Sequence, residues 1–135
     1  MTHPHVPDPD GAIVVRIPGR PPTPNVTTRQ VWQARGKEAA EWKALAHAIA
    51  WQTAGGMVPL ERATMEVEFI VPDHRRRDLD NLIASTKHLT DGIVLAGILV
   101  DDSSDVLRSV RYHVTYQKGV TETVYRIWDD SQAAA

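Results

Sequence analysis

Residues 64–71 (Thr-Met-Glu-Val-Glu-Phe-Ile-Val) set Met65, Val67 and Phe69 in strict alternation against Thr64, Glu66 and Glu68. A period of two puts the apolar set on one face of a strand, so this segment requires a sheet with one face buried. Pro72-Asp73 stops it. The longest periodic segment imposes a second requirement. Trp42, Leu45, Ala46 and Ile49 recur at helical spacing, with Val31 and Trp32 before them. They predict a helix capped by Thr27 or Thr28, running to about Thr53 and ended by Gly55-Gly56. Gly36 breaks or bends it into a short first piece and a longer second one. Arg35, Lys37 and Lys43 fall mostly on its outer face, and Trp51 is expected to pack in the core.

The rest of the chain supplies partners for these two elements. Ala12–Ile17, β-branched and bounded by Gly11 and Pro18, reads as a first strand. Pro18, Pro21, Pro22 and Pro24 then make a stiff extended loop, either a rigid connector or a place where Arg20, Asn25 and Arg29 touch a phosphate backbone. Leu82, Ile83, Leu89, Ile93 and Val94 suit a second helix from Asn81 to about Ala96, ending at Gly97. Residues 106–117 alternate as a third strand, and after a Lys118-Gly119 turn residues 121–128 return as its hairpin partner. The order β-α-β-α-β-β implies a mixed sheet with two main helices, an α+β (α/β-like) fold. The 135 residues allow one domain, 12–128, between tails at 1–11 and 129–135.

Composition removes several classes. There is no cysteine, which excludes disulfides, zinc fingers and thiol nucleophiles and fits a reduced, cytoplasmic setting. No apolar run approaches the roughly 20 residues of a membrane span, and no signal peptide opens the chain. The formal net charge of −2 means that any polyanion must be met by a local patch.

That patch is residues 75–82, Arg75-Arg76-Arg77-Asp78-Leu79-Asp80-Asn81-Leu82. Asp78 and Asp80 lie two apart, and in an extended segment both would face one cation. Asp80 is also an N-cap candidate for the second helix, whose positive end would lie near a bound phosphate. A second carboxylate pair, Asp101-Asp102, follows the helix. Hard oxygen ligands beside a basic run suit a metal-dependent enzyme acting on a phosphodiester. Each motif alone reads more simply as a cap, a turn or a solvated face. A calcium loop fails, because the sixth and twelfth positions counted from Asp78 are Ile83 and Leu89. An aspartyl-phosphate site fails because Pro72–Arg77 separate the acids from the strand.

The run Arg-Arg-Arg-Asp-Leu-Asp-Asn-Leu, then Lys-x-x-x-Asp (Lys87, Asp91), an Ala-Gly turn and Asp-Asp resembles the RusA-type Holliday junction resolvases, from Pro21 to about Val110. The resemblance implies a homodimeric Mg²⁺-dependent endodeoxyribonuclease, with Mn²⁺ able to substitute, that resolves four-way DNA junctions in recombination and repair, often phage-encoded. It places the catalytic acids on Asp78, Asp80 and Asp102, with Asp101 as a further metal ligand. DNA-binding cations fall on Arg75, Arg76 and Arg77, with Arg20 and Arg29 beside them. The family's lysine position holds Ala84, and Lys87 takes the role if three residues are inserted around Ile83–Thr86 and absorbed by a bulge or a delayed helix start. The alternative is a branched-DNA-binding protein on the same scaffold without catalysis.

Overall fold

A computed structural model describes residues 11–22 and 29–130, with the side chains of 29–35 left out. Residues 1–10 of the expected N-terminal tail, the expected helix cap at Thr27 or Thr28 and residues 131–135 lie outside the described residues. Four strands and three helices alternate as β1 (Ile13–Pro18), α1 (Arg29–Ala54), β2 (Ala63–Val71), α2 (Leu79–Ala84), α3 (Lys87–Leu95), β3 (Leu107–Tyr116) and β4 (Glu122–Asp129). They build one mixed sheet in the order β1-β4-β2-β3, an α+β fold. β2 and β3 are parallel, joined by the crossover that carries α2 and α3, and β4 runs antiparallel to both β1 and β2.

The expected β3–β4 hairpin is not formed. β4 lies between β1 and β2, and the turn after β3 passes around the end of β2. There Gln117 N–H donates to the Val71 carbonyl (2.9 Å) and Gly119 N–H to that of Pro72 (3.2 Å). Burial gives the physical reason. Thr123, Val124, Tyr125 and Ile127 are all buried, so β4 takes the centre, whereas the polar β3 is left at an edge.

One face of the sheet is apolar and covered by the helices. Val15 and Ile17, Met65, Val67 and Phe69, and Tyr125 and Ile127 pack there against Ala46, Ala50, Leu82, Leu89 and Ile93. α1 runs unbroken through Gly36, correcting the expected kink. Its buried residues Ala46 and Ala50 are one turn apart, so Trp51 points away from the core and stays exposed, its ring folded over Gly55. α3 crosses α1 at Gly92, where a Cβ would lie 2.5 Å from the Lys43 carbonyl oxygen.

The opposite face carries charge in register. Glu66 pairs across to Arg111 and Arg126, and Glu68 sits 3.1 Å from Arg126 with a 2.6 Å hydrogen bond from Thr115. Burial pushes the Glu68 carboxyl up, but the Thr115 and Arg126 hydrogen bonds and nearby positive charge hold it below its ordinary value. A depressed carboxylate adds stability that is present above its unfolded pKa of about 4.3 and lost as pH falls through the lower folded value. Urea midpoints of Glu68→Gln therefore fall less steeply than wild type between about pH 5 and about pH 3.

Candidate functional site

β2 ends at Val71, and the loop that follows is built by its own side chains. The Asp73 carboxylate accepts from the Arg75 backbone N–H (3.1 Å) and from Arg77 (2.8 Å). Arg77 also donates to the carbonyls of Asp73 (3.0 Å) and Arg75 (3.1 Å). The Arg75 N–H, then Arg77, hold the Asp73 carboxyl below its usual range. Arg77 is thus a staple inside the loop, 15% exposed, whereas Arg76 is 93% exposed and Arg75 also reaches solvent. The three arginines therefore divide into one structural cation and two presented ones.

Arg20 is brought to the same place from the proline-rich loop. It is half-buried, and burial and then the neighbouring charge of Arg77 lower its pKa. Among the described residues, its Nη1 is buried without a hydrogen-bond partner. A buried guanidinium N–H facing a second cation is a position that an anionic oxygen would satisfy. Arg29 opens α1, with its side chain outside the described residues.

The Asp-x-Asp pair straddles the start of α2. Asp78, extended at φ −82°, ψ 126°, is the N-cap, and its carbonyl accepts from Asn81 and Leu82. Its side chain makes no capping bond and stands in solvent, 3.9 Å from Arg76. Asp80 is therefore not the cap but lies in the first helical turn, and it is exposed. The extended geometry that would aim both carboxylates the same way holds for Asp78 alone, since positions i and i+2 diverge once a helix begins.

The expected second helix is two. Ser85 Oγ bonds back to the Leu82 carbonyl (2.6 Å) and Thr86 Oγ1 to that of Ile83 (2.7 Å), so side chains close off α2. Tyr125 on β4 anchors the break from below. Its hydroxyl lies 3.1 Å from Thr90 Oγ1 and 3.4 Å from the Thr86 carbonyl, and burial pushes it far up from its ordinary pKa. α3 then starts at Lys87 itself. Lys87 Nζ sits 3.4 Å from Asp91 one turn on.

Lys87 lines a groove of about 550 Å³ together with Ala84, Tyr112 and Asp102. Asp102 arrives there because Leu60 and Leu99 form a bridge, with the Leu60 N–H on the Ile98 carbonyl (2.8 Å) and the Val100 N–H on that of Leu60 (3.0 Å). Asp101 and Asp102 follow, both exposed. Asp80 lies one turn before the lining residue Ala84 on α2, exposed and outside the groove lining itself.

Parallel pairing also separates the acids. Ala63 pairs with Leu107 and Val71 with Tyr116, so Asp78 follows one end of β2 while Asp102 precedes the start of β3 near the other. The nine residues of β2 span roughly 30 Å, and α2 and α3 run back across that length. Among the described residues, no group of three or more His, Asp or Glu side chains is gathered closely enough to hold a metal. The donors are all carboxylate oxygens, which suits a hard cation. Mg²⁺ commonly takes one or two protein carboxylates and completes its shell with water and substrate phosphate.

Sequence reasoning missed two features here. One is the Asp73–Arg77 staple. The other is a stack of His74 on Tyr116, with ring centroids 3.8 Å apart at 23°. No protein-family model matches the chain, and no curated protein does. No helix among the described residues is long and apolar enough to cross a membrane.

Proposed function

We propose that this chain is a Mg²⁺-dependent endodeoxyribonuclease that cuts branched DNA, resolving four-way junctions by paired nicks as a cytoplasmic homodimer. The observation that carries this reading is the convergence of Lys87 and Asp102 in one groove, walled by α2, the helix that bears Asp80 and follows the exposed Arg75 and Arg76 in sequence. The motif from Arg75 to Asp102 is the one that resembles RusA-type resolvases.

Asp102 in the groove, with Asp101 adjacent, would supply the carboxylates for a cation whose shell is completed by water and substrate phosphate. Asp80 and Asp78 would join it only if α2 and its N-terminal loop move toward the groove when DNA binds. When bound, the cation lowers the pKa of an attacking water and offsets charge on the phosphate. The residues of the chain do the rest. Arg76, and Arg75 with its Nε 3.5 Å from Asp73 but its side chain largely exposed, bind backbone phosphates, which makes affinity strongly salt-dependent. Arg20 offers its buried N–H to a phosphate oxygen. Lys87, held at the first turn of α3 by the Tyr125 anchor, stabilises the developing charge or the leaving oxygen. Two cuts in opposite strands require two such sites, hence a dimer.

Metal removal tests the chemistry. EDTA ends cleavage of a synthetic four-way junction, while Mg²⁺ or Mn²⁺ restores it, and binding in a gel shift persists throughout. Cleavage that continues undiminished in EDTA contradicts the metal role. Binding without cutting in any metal leaves a branched-DNA-binding protein.

A further inference from the structure

Three of the exposed large apolar side chains line one recess. Leu79, Val114 and Tyr116 are 45%, 47% and 45% exposed, and all three border a groove of about 350 Å³ that also contains His74, Arg75 and Arg77. The sheet register shows where this recess lies. Tyr112, Val114 and Tyr116 pair with Val67, Phe69 and Val71, so they occupy the helix-covered face at the edge strand, where α2 is too short to cover them. Val110 and Tyr112 line the Lys87–Asp102 groove, and Val114 and Tyr116 line this second one. α2 forms the facing wall of both, through Ile83 and Ala84 on one side and Leu79 and Leu82 on the other. The two grooves are thus consecutive stations along one strand of the protein.

We propose that the His74–Tyr116 stack is the seat of a single unpaired base of a DNA strand whose phosphates lie on Arg75 and Arg76. This rests on the nucleic-acid reading above and adds the chemical feature by which the site selects branched over linear DNA. The ligand must present an aromatic face and an anion a short distance apart, because the stacked rings share their recess with the largely exposed Arg75, and the exposed Arg76 is the next residue in the chain. A nucleotide has both. In a regular duplex the faces of the bases are covered by their neighbours, so only a base released at a branch point or in a single strand can lie on the platform. The recess is apolar on its floor, and its rim carries two arginines against the single Asp73 carboxylate, a net positive edge of the kind that binds single strands by stacking and charge together.

The test uses the full chain with fluorescently labelled oligothymidine and the same strand carrying abasic residues, read by anisotropy. Wild type binds the base-bearing strand about 10-fold more tightly. Tyr116→Ala and His74→Ala erase that preference and bind both strands equally. Tyr116→Phe keeps it, which separates the platform from the hydroxyl. All variants keep the wild-type salt dependence because the arginines are untouched. Both residues are exposed at the end of the sheet, and circular dichroism verifies that each variant is folded. Equal binding of the two strands by wild type, or a preference that survives Tyr116→Ala, overturns the proposal. A wild type that shows the preference yet cuts no junction overturns the nuclease reading and leaves the base seat standing. One that cuts junctions without any preference overturns the base seat alone.

Discussion

Asp80→Asn abolishes junction cleavage, lowering the single-turnover rate by about a thousand-fold, the scale seen when one preorganised electrostatic group is lost from a transition state. Asp80 sits in solvent in the first turn of α2, so the substitution leaves packing intact and the melting temperature nearly unchanged. Under the proposed function binding is expected to persist and rise slightly, because the substitution removes one negative charge from the surface proposed to meet phosphates. Loss of rate with retained binding distinguishes a reacting site from a surface that merely holds DNA. If Asp80→Asn cuts at the wild-type rate, the carboxylate has no part in the chemistry and the reading of the Asp-x-Asp pair is wrong.

Gly92→Ala has the largest expected effect on stability. A Cβ at this position would meet the Lys43 carbonyl oxygen at 2.5 Å, the Ala46 methyl at 2.8 Å and the His47 nitrogen at 2.9 Å. Two of those three are backbone atoms of α1 and cannot swing aside, so α3 must back away from α1 and open the core beneath it. The overpacking costs about 3 kcal/mol, offset by about 1 kcal/mol of better helix propensity. The net loss lowers the melting temperature by about 8 °C. Gly36→Ala is the internal control with the opposite sign. Its Cβ would meet nothing within 4 Å in the helix interior, so propensity alone acts and stability rises by about 1 kcal/mol. Thermal melts of the two variants that shift in the same direction would contradict the close helix approach at Gly92.

The two elements with the strongest periodicity were legible from the residues alone. Alternation in residues 64–71 placed Met65, Val67 and Phe69 on the buried face where they are found, and α1 ends within a residue of the glycine pair. The β3–β4 pairing was not legible, since two alternating runs around Lys118-Gly119 look the same whether the second strand pairs with the first or steps over a third. What decides it is the apolar content of both faces of β4, a comparison among strands that no local pattern carries. The break between α2 and α3 carried no signal in the apolar spacing of residues 81–96. Ser85 and Thr86 are ordinary residues until their hydroxyls turn back onto carbonyls of α2.

At the candidate site the sequence named the charged residues and could not apportion them. Arg75, Arg76 and Arg77 are identical in type, yet Arg77 is folded into the loop by Asp73 while Arg76 is almost fully exposed. That division depends on the turn after Pro72, where two backbone carbonyls and the Asp73 carboxylate line up for one guanidinium. The His74–Tyr116 stack joins residues far apart in the chain and follows only from the parallel register that sets Val71 beside Tyr116. Gly92 carried no signal either, because a glycine within a helical pattern reads first as a weak point and only in three dimensions as a contact.

The central claim is that the groove shared by Lys87 and Asp102 cuts DNA at branch points. Its most direct measurement is a denaturing-gel time course on a synthetic four-way junction with each strand end-labelled in turn, beside a linear duplex of the same sequence, in Mg²⁺. The account predicts symmetric nicks in two opposing strands of the junction, an intact linear duplex, and no product from Asp80→Asn or Lys87→Ala. Equal cutting of junction and duplex, or a junction left whole at saturating protein, would contradict it.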